Sequence, residues 1–274
     1  MTDEVPEPQP SSEYGRYDRE DEHAFPDERL HQVLDAIASD PEIQSILGAQ
    51  NVNPVTRMGY NDHGKKHIKI VRDRALCIYD LLKAGGVAFD AAADHGLDEA
   101  DESVIIALAA TLHDVGHIVH RDNHPHWSVP VAADILDHFL ESFYDLDQLV
   151  RMKADILHAI VCHHASQRPL TAEAGVLRIA DGLDMERGRS RTPYEEGGRG
   201  INTVSSQAIK KVRLYEGERV PVRVEIEMTN AAGVYQVDSL LKAKLIGSGL
   251  EEEVRIVAVN VGGPDDRIVE RLEL

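Results

Sequence analysis

The stretch that most constrains this chain is Val104–His124, VIIALAATLHDVGHIVHRDNH. An apolar run at helical spacing ends in adjacent His113 and Asp114, Gly116 follows, and a histidine-rich loop comes next. A segment apolar nearly all round must lie at the centre of a fold, so its polar end is carried to a fixed interior position. Of the 14 histidines, 12 fall between His63 and His164, and the residues beyond 164 have none. Solvated histidines would spread more evenly. Imidazole nitrogen beside carboxylate oxygen suits a borderline divalent metal such as Mn, Fe, Co, Ni or Zn. Candidate ligands are His67 on a long helix, the 113/114 pair, and Asp181 on a later helix; the alternative is that they are capping or core polar residues. Adjacent helical residues point about 100° apart, so His113 and Asp114 suit one ion approached from two directions, or Asp114 bridging two. Gly116 lets the backbone turn away close to the site.

Helical periodicity begins at Asp27 (Leu30, Val33, Leu34, Ile37), and Pro41 and Pro54 break up the next segment. Asn61-Asp62 starts a long helix through His67, Ile70, Val71, Ala75, Ile78, Leu81 and Leu82, which Gly85-Gly86 stops. Residues 87–98 read as a loop. Further helices are expected over Glu99–His113, Trp127–Phe143, Asp145–His164 and Thr171–Asp184, followed by a glycine- and arginine-rich loop over 185–201. After Asn202 the pattern alternates in IKKVRLYEG and VPVRVEIEMT, turns helical over Val234–Ile246, and alternates again in EEEVRIVAVNV. The expected class is therefore α+β: a tail over 1–25 that reads as disordered, a helical domain over 26–201, and a β-β-α-β domain with an antiparallel sheet over 202–274.

The order His67, His113-Asp114, Asp181 resembles the H…HD…D signature of the HD superfamily of metal-dependent phosphohydrolases. LHDVGH is similar to its helix-end motif and LRIADGLD to the segment bearing its last metal aspartate, so the likeness spans roughly residues 60–190. The resemblance implies an all-helical hydrolase of phosphomonoesters or phosphodiesters, often of nucleotides, with His67, His113, Asp114 and Asp181 as ligands of one or two divalent ions, Mg included. NHPHWS resembles the HPxxG helix start of the binuclear cyclic-dinucleotide phosphodiesterase branch, which implies His124 as a ligand. Cys162-His163-His164 resembles the HH pair of that branch, implying His163 and His164. The GYP motif expected after HH in that branch is absent, and the gap to Asp181 is short. His126 and His158 are fallback ligands.

His63, four residues before His67, is expected on the same helix face. Its HxxxH spacing is similar to cyclic-nucleotide phosphodiesterases and implies a general acid; the alternative is a solvated helix start. His117 stands where related proteins place a phosphate-contacting lysine, which implies substrate binding. Asp184, one turn from Asp181, either orients a metal ligand or lies on the surface. Arg187, Arg189 and Arg191 are the densest positive cluster, and guanidinium forks suit phosphate oxygens; Arg187 and Arg191 are taken as substrate contacts, with salt bridging as the alternative. His23, His31, His95 and His138 read as surface or packing residues.

The net charge of −19, with 20 Arg and 9 Lys against 48 acids, repels nucleic-acid backbones and excludes them as partners. Scarce lysine with abundant acid resembles the proteins of salt-loving archaea. No run of about 18 apolar residues occurs, so no membrane span is expected. The acidic start lacks a signal peptide's basic end and apolar core, and Cys77 and Cys162 form no CxxC, so reduced thiols in a cytoplasmic protein are expected. The expected function is hydrolysis of a small phosphate ester or nucleotide by metal-activated water, with Asp114 and His63 catalytic. The competing expectation is a regulatory module that binds nucleotide or metal without turnover; a third is metal storage. Three roles are open to the C-terminal unit: homo-oligomer formation, effector binding, or capping the cleft.

Overall fold

The computed structural model describes residues 17–18, 27–187, 201–263 and 270–274. Helix α1 (Glu28–Ser39) starts where Asp27 accepts the Leu30 N–H at 3.0 Å, and it buries Leu30, Val33 and Ile37. Pro41 does not break the next segment but opens α2 (Pro41–Ala49), with Asp40 as N-cap. Proline lacks the N–H that a first helical turn leaves unpaired and already holds a helical φ, so it suits this position. Pro54 lies within a π-helical turn, Val52–Arg57.

Helix α3 (Lys65–Ala84) is the long one, but it begins after Gly64, not at Asn61-Asp62. The Asp62 carboxylate is used instead to accept the Gly64 N–H at 2.9 Å and the Asn51 amide. The segment expected as a loop over 87–98 contains a helix, α4 (Asp90–His95), closed by Gly96 at φ 65°. Helix α5 (Glu99–Leu112) is central and is buried continuously from Asp101 to Leu112, packing against α1, α3, α4, α7 and α8. Its two buried acids are paired: Asp101 accepts from Arg29 at 2.5 Å and from Tyr144 at 2.9 Å, and Glu102 meets Lys83 at 3.1 Å and Tyr79 at 3.1 Å. Helices α6 (His124–Leu140), α7 (Leu146–Cys162) and α8 (Ala172–Leu183) complete the bundle. A short helix, Ile201–Ser206, leads to the sheet.

The sheet has the order β1-β2-β3-β4-β5, from β1 (Tyr17–Asp18), β2 (Ile209–Glu216), β3 (Val222–Met228), β4 (Val254–Asn260) and β5 (Arg271–Glu273). The expected antiparallel sheet is corrected to a mixed one, because β3 and β4 run parallel, with Val224 opposite Ile256. A parallel pair needs a long crossover, and the helical segment Tyr235–Leu241 continuing into Lys242–Leu245 supplies it. The tail expectation is corrected at Tyr17 and Asp18, which pair with Leu214 and Arg213; residues 1–16 and 19–26 lie outside the described residues. Strand β3 buries Val222, Val224, Ile226 and Met228 and leaves the alternate residues half-buried. The apolar residues of helices and sheet form one buried cluster. Buried Arg74 joins the two parts: it donates to Glu186 at 2.9 Å, and Glu186 accepts the Val212 N–H at 3.1 Å. Among the described residues no helix is long and apolar enough to cross a membrane.

The crossover is seated on one face of α8. Gly175 and Gly182 lie two turns apart on that face: a Cβ on Gly175 would meet the Ser248 carbonyl at 2.5 Å, and one on Gly182 would meet Lys244 Cδ at 2.9 Å. Between them Arg178, 3% exposed, donates to the carbonyls of Lys244 and Ala243 at 3.0 Å each, of Ile246 at 3.3 Å and of Gln167 at 2.6 Å. Removing the guanidinium leaves these acceptors unpaired. Arg178→Met is therefore expected to lower unfolding stability by about 3 kcal/mol, read from the shift in a urea midpoint at unchanged slope.

Candidate metal centre

Five helix ends meet at one place. His67 lies in the first turn of α3, and His113 closes α5. Asp114 follows it and leads into a 3-10 turn, Val115–Ile118. His124 opens α6, His163 caps α7 and Asp181 lies in the last turn of α8. Gly116 serves close approach here: a Cβ on it would lie 2.3 Å from the His124 carbonyl and 2.4 Å from the Ser128 nitrogen. Ser128 then fastens α6 to the end of α5, donating to the His113 carbonyl at 2.6 Å and accepting the Gly116 N–H at 2.8 Å.

Five imidazoles are oriented in the same way. Nδ1 of His67 meets Asp184 Oδ2 at 2.7 Å, and Nδ1 of His113, His117, His124 and His163 meet the carbonyls of Ala110, Asp114, Arg121 and Ile160 at 2.8, 3.0, 3.0 and 2.6 Å. A carbonyl or ionised carboxylate can only accept, so each Nδ1 carries the hydrogen, and Nε2 of each neutral ring presents a lone pair. Four of these lone pairs converge, those of His67, His113, His124 and His163. His67 Nε2 is 3.3 Å from His113 Nε2, and His124 Nε2 is 3.1 Å from His163 Nε2. Two lone pairs held that close repel unless a cation lies between them.

Asp114 stands between the two pairs. Its Oδ2 is 3.3 Å from His67 Nε2 and 3.4 Å from His113 Nε2, while its Oδ1 is 3.3 Å from His124 Nε2 and 3.8 Å from His163 Nε2. Asp181 Oδ1 joins the first pair, 3.5 Å from His67 Nε2 and 3.9 Å from His113 Nε2. Donors at about 2.1 Å from one ion lie about 3.0–3.4 Å from each other in octahedral or tetrahedral shells. The donor set therefore fits divalent ions in two nests that share Asp114: His67, His113 and Asp181 on one side, His124 and His163 on the other.

Burial drives the imidazoles toward the neutral, ligand-ready form. It lowers His113, takes His163 well below the ordinary value, and takes His117 down to about 4. Burial works against ionising Asp114, yet the imidazoles of His113, His117 and His63 and the contact with His124 hold it well below the carboxylate range. The unfolded chain thus binds these protons more readily than the folded one. These groups are expected to cost the metal-free protein stability as pH falls below 6.5, with the His117 share complete below about 4 and Asp114 adding to it further down, while buried Glu173, pushed up to about 7, works the other way over the same range. Melting temperatures of the metal-free Glu173→Gln chain between about pH 7 and pH 4 check this; a flat profile would contradict it.

The remaining sequence-derived candidates divide. His63 is not on the α3 face beside His67 but in the loop before it; its Nδ1 meets Asp114 Oδ2 at 2.7 Å, and its ring stacks on His117 at 4.4 Å. His117 is fully buried, does not line the neighbouring cavity, and groups with His63 and Asp114. His164 is exposed, bonds Ser166 at 3.1 Å, and joins none of the metal-type groups, although it lines the cavity. His126 lines the cavity without joining a group, and His158 is turned to the Leu170 N–H at 3.0 Å. Arg187 is exposed and off the cavity; Arg189 and Arg191 lie outside the described residues. Asp184 is not a surface residue: it is 2% exposed and holds His67 Nδ1.

The cavity has a volume of about 1060 Å³ and is lined by His63, Asp114, His124, His163 and Asp181. Its cationic lining, among the described residues, is Arg121 and Lys244, neither of which the sequence singled out. Arg121 comes four residues after the HDVGH turn, and that proximity was the available signal. Lys244 is 63 residues beyond Asp181 in a segment without a motif. Since Asp184 sets the tautomer of His67, Asp184→Asn is expected to weaken divalent-metal binding about 10–100-fold while the fold is kept, read by competition with a chelating dye.

A buried helix that delivers adjacent histidine and aspartate to such a cluster is the mark of the HD domain, and the HD domain family matches residues 81–186. The chain belongs to the HD superfamily, whose proteins are usually metal-dependent hydrolases. Over 226 residues it is 36% identical to the uncharacterized protein MJ1020 of Methanocaldococcus jannaschii, covering 82% of this chain and 87% of that one. No solved structure matches the chain. His63 and His67 precede the matched family segment, so their place in the cluster rests on the geometry.

Proposed function

We propose that the chain is a metal-dependent phosphohydrolase, a phosphatase or phosphodiesterase that cleaves a small phosphate ester of the nucleotide class. The observation that carries this reading is the convergence of two Nε2 pairs on opposite oxygens of one buried carboxylate, beside a cavity large enough for a nucleotide. Divalent ions held there supply a water of lowered pKa and a Lewis acid for the phosphoryl oxygen.

The chain's own residues provide the rest. Asp114 stays ionised and offers one oxygen to each nest. Asp184 and the carbonyls of Ala110, Arg121 and Ile160 fix the ring orientations, so little reorganisation is left for the reaction itself. His63, which lines the cavity and is held against Asp114, is on this reading the group that protonates the leaving alkoxide oxygen. On this reading the partner is a small ester in the cytoplasm, since a net charge of −19 disfavours a polyanion.

Asp114→Ala is expected to abolish Mn-dependent product release from mono- and diester nucleotides without unfolding the chain. Product assays with a circular-dichroism control check it, and near-normal turnover would end the reading. A parent chain that binds Mn and nucleotide but releases no product would establish the regulatory-module alternative instead.

A further inference from the structure

The wall of the cavity facing the metal-type cluster comes from the crossover between β3 and β4: Gln236, Ser239, Leu240 and Lys244 line it. Lys244 reaches furthest. Its Nζ donates to Asp181 Oδ2 and, at 3.2 Å, to the His163 carbonyl, while Asp181 Oδ1 faces His67 and His113. The path of its stem is set by the bare backbone of Gly182 beneath Cδ and by Arg178, which grips the Lys244 carbonyl. An ammonium has three N–H donors. Two are engaged with Asp181 and His163, and the third, among the described residues, is left for the cavity that the side chain lines.

We infer that Lys244 binds a phosphate oxygen of the substrate, so that the C-terminal α+β segment completes the pocket. This rests on the phosphohydrolase reading and names the residue that would hold the anionic group. The charge pattern supports it. Asp114, Asp181 and Asp184 crowd the centre with carboxylates, and an incoming phosphate needs a fixed cation beside them. Arg121, the other cation of the lining, has its guanidinium 3.7 Å over the Tyr60 ring. Lys244 is the one that touches the cluster.

The test uses the full chain loaded with Mn, with inorganic phosphate as the probe in titration calorimetry, and elemental analysis of bound metal alongside. Lys244→Met is expected to weaken phosphate binding about tenfold or more at unchanged metal content, and Lys244→Arg to recover much of it. Lys242→Met, on the same helix but paired with Asp238 at 3.0 Å, should match the parent. Phosphate affinity of Lys244→Met within about twofold of the parent, with metal retained, would overturn the inference and leave the phosphohydrolase reading standing. Loss of metal from Lys244→Met would also overturn it, making Lys244 a positioning residue for Asp181. A parent chain that takes up no Mn removes the metal centre itself, and this inference with it.

Discussion

One buried carboxylate organises the molecule. Asp114 is 2% exposed, and five imidazole nitrogens come within 3.8 Å of its two oxygens in addition to the His63 contact. An isolated carboxylate at such a place would be driven to its neutral form. Here the surrounding donors hold it ionised, and a dipositive ion on either side would hold it more firmly. The rest of the helical part can be understood as the apparatus that brings those donors together. The four rings whose Nε2 faces Asp114 come from different helix ends, and each is locked from behind by a carbonyl or by Asp184.

That arrangement explains where the fold tolerates no bulk. Gly116 and Ser128 let α6 close onto the end of α5, so that His124 meets His163 across from Asp114. Gly175, Arg178 and Gly182 let the crossover close onto α8 beside Asp181. The first seam sets the spacing of the imidazoles. The second holds in place the stretch of cavity wall that carries Lys244.

The helical class was legible in the periodicity, and so were His67, the 113/114 pair and Asp181 as polar residues on apolar helices; His124 and His163 were legible only through the resemblance of NHPHWS and CHH to family motifs. His63 was misplaced because the start of a helix depends on what its flanking polar groups do: Asp62 turns back to Asn51 and Gly64 instead of capping α3. The six residues of α4, DAAADH, are too few to show a period. Strand alternation reports which side chains face the core but not the direction of the neighbouring strand, so the parallel pairing of β3 and β4 was hidden. Lys244 carried no signal at all, since a lone lysine on a helix is ordinary until the helix is seen to point at Asp181.

The parallel register of β3 and β4 has a mechanical consequence. The segment bearing Lys244 is strung between two neighbouring interior strands, each hydrogen-bonded along both edges. Its two ends are anchored in the sheet, and its middle is tied to α8 by Arg178 and to the end of α7 by Lys244. The cavity lining at residues 59–61 and 121–123, by contrast, belongs to no helix or strand, so give in the wall is cheaper there than in the crossover.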